Sequence, residues 1–348
     1  MINKKLLAEI CEVAGAPGHE QRVREIVIKQ VKPLVDEIRI DNMGNVVAIK
    51  KGKERKKVMI AAHMDEIGFI VTHVDDQGFI YFHTLGGFDP KTLTAQRVII
   101  HGKKDVIGVM GSKPIHLMSV ADRAKVPTIK DYFIDTGMTK KELDKLISVG
   151  DTITRDRKLI EMGDCLNCKS MDNRVSVFIL IEMLREMKNT PPYDVYAVFT
   201  VQEEIGIRGA NVSAMDINPD FGFGLDTTIA WDTPGSTKQE RVSALGEGAC
   251  IKVMDSSTVC DYRMVAYMKE IAKKKKIKTQ LEILPAGGTD TSGVQRMNPG
   301  GSIAGAVSIP TRHIHQVIEM VNKKDVRAAI DLLGGCVENL NSYDWNFK

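Results

Sequence analysis

The chain lacks the features that mark secreted, membrane-spanning and nucleic-acid-binding proteins. Its 348 residues include only six cysteines, too few for a disulfide framework. No apolar run approaches the ~20 residues a spanning helix needs. The first residues, Met1-Ile2-Asn3-Lys4-Lys5-Leu6, lead into mixed polar and apolar sequence rather than an apolar signal core. Neither sign of charge dominates: 48 basic against 45 acidic side chains leave +3. That balance gives no electrostatic reason to expect nucleic acid or a membrane surface as a partner. Repeats and low-complexity tracts are missing too, and the run Lys273 to Lys276 reads as the solvated end of a helix. One C-x-x-C occurs, at Cys165 and Cys168, without the second pair a four-ligand zinc site requires. Its thiols are read as reduced residues near a strand end. A cytoplasmic protein is the expectation.

What is present is ordinary globular composition, 43% hydrophobic and 27% charged, in a chain long enough for one large domain and a smaller one. Leu6, Leu7, Ile10, Cys11 and Ala14 recur at helical spacing, as do Val23, Ile26, Val27, Val31 and Leu34. Val46 to Ile49 and Lys57 to Ala62 read as strands, the second of the buried kind. Between about Gly68 and Arg157 short alternating runs separated by turn residues predict a compact β domain. Beyond Cys168 helices and strands alternate: helices over 175–187, 261–274 and 324–333, strands over 193–202, 221–226, 280–284 and 301–308. Alternation implies a mainly parallel sheet sandwiched by helices, and the fold class expected is α/β with a mixed, mainly parallel sheet. The expected organisation is an α/β domain in two pieces, 1–67 and 161–348, with a β domain, 68–160, inserted between them.

Ligand-type side chains gather where apolar strands end. His63 and Asp65 follow Val58 to Ala62, Glu203 and Glu204 follow Val198 to Val201, and Asp226 ends Phe221 to Leu225. His313 and His315 follow Ser308-Ile309-Pro310, and Asp172 opens a helix. Ligands of open α/β sheets bind at the carboxyl ends of strands, so these groups can converge. Singly, each has a plainer reading: a strand-end Asp is ordinarily a helix cap, a lone His a structural or exposed residue. Together, two imidazoles and three carboxylates suit two borderline divalent cations. Two ions with about four ligands each require a bridging carboxylate, for which Asp172 is the candidate. A dinuclear site activates water, and Glu203, beside Glu204, suits the general base. Asp65 is placed to hold the His63 ring N–H. Spacing does not choose between His313 and His315.

These residues fall in motifs that resemble the metallo-aminopeptidase family of the tetrahedral (TET) aminopeptidases, glutamyl aminopeptidase and deblocking aminopeptidases. They are Ala62-His63-Met64-Asp65-Glu66-Ile67-Gly68, Met171-Asp172-Asn173-Arg174, Gln202-Glu203-Glu204-Ile205-Gly206 and Asp226-Thr227-Thr228. Asp232-Thr233-Pro234-Gly235, Gly287-Gly288-Thr289-Asp290 and Pro310-Thr311-Arg312-His313-Ile314-His315 continue the likeness over nearly the whole chain. The resemblance implies a zinc-exopeptidase-like α/β fold and an inserted small β-barrel or PDZ-like dimerisation domain that includes Lys113 to Leu117. It assigns His63 and Asp226 to one metal, Glu204 and His315 to the other, Asp172 to both, and Glu203 to the base. His313 is left without a metal role, and Gly287, Gly288, Thr289 and Asp290 fall in a substrate-lining loop. It implies two divalent ions per subunit, zinc or cobalt, peptide substrates, and dimers that assemble into a tetrahedral dodecamer. After His315 the family pattern has Ser-Pro, where this chain has Gln316-Val317. Rival readings on the same scaffold are an N-acyl amino acid deacylase or amidohydrolase and an endoglucanase. A glycosidase would need a spare, suitably spaced carboxylate pair. A non-catalytic peptide-binding shell is the alternative outside enzymes.

Overall fold

Four apolar strands buried on both faces make the centre of the molecule. In the computed structural model, which describes residues 2–347, Tyr193–Thr200, Glu54–His63, Phe221–Ile229 and Ile303–Arg312 lie side by side in that order, all parallel. Antiparallel strands complete the sheet on both sides. Glu37–Ile40 and Val46–Lys50 flank one edge; Glu319–Asn322, Cys165–Cys168 and Ile160–Met162 flank the other. Ala249–Met254 joins Ile303–Arg312 and carries Thr279–Ile283 beside it. The sheet is therefore mixed, and the parallel arrangement read from the sequence holds at its centre.

The period of two along each strand divides the apolar residues between two helical layers. Val46, Ala48, Val58, Ile60 and Ala62 face the larger core, with Leu7, Val23, Phe178, Met264 and Leu333. That layer is built by the helices Lys4–Glu12, Gln21–Val31, Met171–Glu186, Tyr262–Lys275 and Lys323–Asn339. Val47, Ile49, Met59 and Ala61 face the other way, onto Ala214, Ile217 and Val294 of the helices Arg208–Ile217 and Thr291–Arg296. Arg208–Ile217 carries no periodic signal strong enough to read from sequence, and its N-terminus has no side-chain cap. It is held by close approach: a Cβ on Gly209 would overlap the Asn45 amide oxygen and the Val201 backbone.

The inserted segment closes into a six-stranded barrel in the order Gly68–Val74, Ile80–Leu85, Tyr132–Asp135, Asp105–Ser112, Arg97–His101, Thr152–Arg155. Closure pairs both edges of every strand. Val106 and Met110 point inward to Phe69, Ile100, Ile134 and Ile153, while Ile107 and Val109 alternate outward. A bidentate ion pair, Arg22 to Asp105 at 2.7 Å for both bonds, ties the helix Gln21–Val31 to the barrel. Asp105 in turn meets His101 at 3.0 Å, and the other ring nitrogen of His101 meets the Thr154 hydroxyl at 2.8 Å. Among the described residues no helix is long and apolar enough to cross a membrane. The six cysteines are unpaired thiols, and Cys165 and Cys168 stand at the two ends of a sheet strand. Lys273 to Lys276 end their helix exposed to solvent.

Arg174, fully buried, joins three segments. It donates to the carbonyls of Met64, of Ile10 at 2.6 Å, of Val13 at 3.0 Å and of Gly15 at 3.4 Å, and lies 3.6 Å from the buried Glu66 carboxylate. Lys169 completes the group by pairing with Glu66. Replacing Arg174 with Met removes the donor from these buried carbonyls, of which Gly15 keeps the Glu66 N–H and Val13 the Lys169 ammonium. We expect a loss of about 3–5 kcal/mol, measured by denaturant unfolding.

Candidate active site

His63 is the last residue of its strand, so its ring leaves the sheet at the carboxyl end with almost no solvent exposure. Its Nδ1 lies 3.1 Å from the Asp65 carbonyl oxygen. A carbonyl only accepts, so Nδ1 carries a proton toward it and Nε2 is the nitrogen turned to the carboxylates. That Nε2 lies 3.3 Å from Asp172 Oδ1, 3.7 Å from Asp226 Oδ1 and 3.8 Å from Glu203 Oε2. On the other side, His315 Nε2 lies 3.3 Å from Asp172 Oδ2 and 3.2 Å from Glu204 Oε2. One oxygen of Asp172 thus faces each imidazole. Donor atoms of His63, Asp172 and Glu204 all lie within 4.8 Å of one another. His313 is exposed, so the geometry separates two histidines that spacing left equivalent.

The backbone that presents these groups departs from regular structure. Asp172 and Asn173 interrupt the start of the helix Met171–Glu186 with non-helical dihedrals. The turn bearing Glu203 and Glu204 has left-handed residues at both ends, Gln202 at φ +56 and Ile207 at φ +58. For a β-branched residue such as Ile207 that conformation costs energy and persists only where neighbours impose it. Asp65 imposes part of it. Its carboxylate accepts the backbone N–H of Glu203 on one oxygen and of Glu204 on the other, both at 3.1 Å. The sequence reading gave Asp65 the His63 ring; in the structure its carbonyl holds the ring, while its carboxylate, 3.4 Å from Nδ1, holds the glutamate turn.

His63, Asp172, Glu203, Glu204, Asp226 and His315 line one cleft of about 430 Å³. Gly287, Gly288 and Thr289 line it too, whereas Asp290 lies behind the wall, buried, accepting a hydrogen bond from the Thr200 hydroxyl. Crowded burial shapes the ionisation of the cluster. Burial, reinforced by Asp226, Glu204 and Asp290 against the pull of His63, pushes the Glu203 carboxyl well above the ordinary range. Burial likewise raises Asp226 to about 6 and Asp290 to about 7. For Asp172 burial is outweighed by the neighbouring imidazoles of His315 and His63, which hold its carboxyl low. His315 is driven the other way: burial opposes protonation, but Glu204 and Asp172 push it up to about 12. Two imidazoles pulled toward the cationic form by surrounding carboxylates mark a place short of positive charge.

Two buried charges at this end of the sheet were not anticipated. Lys252, in Ala249–Met254, lines the cleft with its Nζ 3.0 Å from Asp255 and 3.1 Å from Glu282. Glu319, the first residue of Glu319–Asn322, accepts the Asp172 N–H at 2.8 Å and the His315 N–H at 3.1 Å. Each is a lone charge inside an apolar run, Cys250-Ile251-Lys252-Val253-Met254 and Val317-Ile318-Glu319-Met320-Val321. Burial of an unpaired charge is costly enough that such interruptions are themselves a signal.

Helical layers around a mixed sheet, with imidazoles and carboxylates converging at the carboxyl ends of its central strands, define a hydrolase of the zinc-exopeptidase type. Residues 44–332 match the family described as M42 glutamyl aminopeptidase. The chain belongs to that family and is an aminopeptidase. It is 37% identical to a putative aminopeptidase of Acetivibrio thermocellus, over 94% of this chain and 96% of that one. It is 32% identical to the lysyl aminopeptidase of Pyrococcus furiosus, over 99% of each. Among solved structures, an aminopeptidase from the archaeon Desulfurococcus kamchatkensis superposes with a TM-score of 0.92 at 37% identity, covering 96% and 94% of the two chains. The Pyrococcus horikoshii TET1 peptidase, which can assemble into a tetrahedron or a large octahedral shell, superposes at 0.85 with 28% identity, covering 96% and 98%.

Asp65→Asn puts an amide where one N–H must be accepted, loosening the Glu203–Glu204 turn. We expect kcat to fall about 10–100-fold with little change in stability, checked by steady-state kinetics beside thermal unfolding.

Proposed function

We propose that the chain removes N-terminal residues from peptides with two divalent metal ions, zinc or cobalt, and with Glu203 as general base. The observation that carries this reading is Asp172. Its two oxygens face His63 and His315 at 3.3 Å each, which suits a bridging carboxylate. The donor set fits such ions: Asp172 Oδ1 and Glu204 Oε1 are buried without a hydrogen-bond partner, and buried carboxylate oxygens normally have one. His63 and Asp226 would hold one ion, Glu204 and His315 the other, with Asp172 between them. Bound there, the ions supply Lewis acidity toward the scissile carbonyl and water. Glu203 accepts the proton of the attacking water as its oxygen bonds to the carbonyl carbon. It returns that proton to the amide nitrogen as the C–N bond breaks. The elevated proton affinity that burial gives Glu203 suits a group that takes and returns one proton.

The N-terminal side chain would enter the part of the cleft lined by Ile229, Leu284, Ala286, Gly287 and Thr289. Beyond the metal cluster, the lining charges are Lys252 and Asp255, which pair at 3.0 Å. Asp255 is further occupied by the N–H groups of Ser257 and Thr258 and by the Thr289 hydroxyl. With its charges turned on each other, this wall offers none to a substrate. The reading extends to a homo-oligomer built through the inserted barrel, residues 68–160. There Ile115, Leu117, Val120 and Val126 stand 60–85% exposed, the kind of apolar surface a second copy covers. A dimer growing to a tetrahedral dodecamer is the assembly proposed.

Glu203→Gln should lower kcat by roughly three orders of magnitude while metal analysis still finds two ions per chain; loss of ions together with activity would remove the base assignment. In a panel of aminoacyl anilides with zinc, cobalt and manganese, neutral apolar N-terminal residues should exceed lysyl and glutamyl ones roughly 100-fold in kcat/KM. A charged residue at the head of the panel overturns the pocket reading.

A further inference from the structure

His315 sits on a turn that does not hold itself. Both His313, at φ +62, and His315, at φ +56, are left-handed, a conformation that non-glycine residues keep only when surroundings enforce it. The following segment, Gln316-Val317-Ile318, contains no proline to restrict its backbone. Inside the turn there is one bond, the Gln316 N–H to the His313 carbonyl at 3.1 Å.

Restraint comes from two other places. Glu319 accepts the His315 N–H on Oε1 and the Asp172 N–H on Oε2. The strand pairing that sets Cys168 opposite Glu319 delivers this carboxylate beneath the Asp172 segment. A single buried side chain thereby fixes the distance between two groups of the site that lie far apart in sequence. The second restraint is Arg155, the last residue of the barrel strand Thr152–Arg155. It is 2% exposed and donates through Nη1 to the Gln316 carbonyl, one residue beyond His315. Its guanidinium lies 5.8 Å from the centre of the Phe88 ring, which stacks on Phe69 of the barrel core at 4.4 Å. Its Nε and Nη2 are buried and make no hydrogen bond, and its charge interacts with the buried carboxyl of Glu319. Gly87, beside Phe88, comes close enough to the ring that an added Cβ would lie 3.3 Å from His315 Nδ1. The barrel therefore reaches the His315 turn from the end of one strand and from the loop that follows Ile80–Leu85.

We propose that Glu319 and Arg155 are positioning residues that lock His315 against Asp172, so that the inserted barrel controls how tightly the site holds the ion on the His315–Glu204 side. The inference rests on the two-ion reading and adds to it an asymmetry: the ion on the His63–Asp226 side meets this clamp through Asp172 alone, whereas the other meets it through both Asp172 and His315. The amide of a glutamine can accept only one of the two N–H bonds and turns an NH2 toward the other donor.

Glu319→Gln, Arg155→Met and Arg155→Lys, made in the full chain and loaded with cobalt, test it. Ions retained per chain are counted across a chelator series, and the visible cobalt spectrum is followed alongside. The wild type should hold two ions. Glu319→Gln and Arg155→Met should release one of them at about 10–100-fold lower chelator concentration, with the other shifted much less and the spectral change following the first ion released. Arg155→Lys, which keeps a donor and a charge, should restore part of the difference. Wild-type retention of both ions in Glu319→Gln and Arg155→Met overturns the inference, as does parallel weakening of both ions, which marks a general structural role. A wild-type chain that holds only one ion overturns the two-ion reading, and the inference with it.

Discussion

Much of this molecule is organised around buried negative charge at one end of a sheet. Asp65, Asp172, Asp226, Asp290 and Glu319 are nearly or fully excluded from solvent, and Glu203 and Glu204 are mostly so. A carboxylate taken from water without compensation is costly enough to prevent folding. Compensation takes three forms here. Backbone N–H groups are aimed at carboxylates, as in the bonds from Glu203 and Glu204 to Asp65 and from Asp172 and His315 to Glu319. Imidazoles are pulled toward the cationic form by their acidic neighbours. Buried cations, Lys169, Arg174 and Lys252, are each placed against a carboxylate near the cluster. Among the oxygens these leave unpaired, Asp172 Oδ1 and Glu204 Oε1 lie where a divalent cation would supply the missing partner.

The same constraint explains the irregular backbone. Regular strands and helices consume their own N–H groups and leave none for side chains. The site is therefore built from residues at which regular structure stops: His63 at a strand end, Glu203 and Glu204 between two left-handed residues, Asp172 in a broken first helical turn, His315 on a left-handed turn. Asp226 is the exception. Its strand continues to Ile229 beside Ile303–Arg312, so the pairing of those strands fixes it rather than a loop. The barrel enters the same scheme. Arg155 brings a buried charge to the catalytic side of the boundary, while Arg22 and Asp105 pin the two parts together elsewhere.

Several features were legible in the sequence because they are periodic or chemically conspicuous. The two-part α/β layout showed in the change from alternating helices and strands to short β runs and back. Imidazoles and carboxylates at the ends of apolar strands showed because few other readings explain them together. Elements without a strong period were not visible. Arg208–Ile217 forms because Gly209 lets it approach Val201, and Glu319–Asn322 is a four-residue strand made by its partners. The mixed, mainly parallel sheet was as expected, though which segments make its antiparallel edges depends on pairings that no local pattern specifies.

The sequence by itself determined which residues carry ligand chemistry and where along the chain they cluster, because side-chain type and strand-end position are local properties. Only the tertiary structure decided how they are used. It set the His315 ring against Asp172 and Glu204 while leaving His313 exposed, put Asp290 behind the cleft wall, and gave the Asp65 carboxylate to two backbone amides. It also brought Glu319 and Arg155 to a site in which spacing gave them no place. The physical reason is that orientation and hydrogen-bond partnership are settled between segments far apart in sequence, under the requirement that every buried charge find a partner.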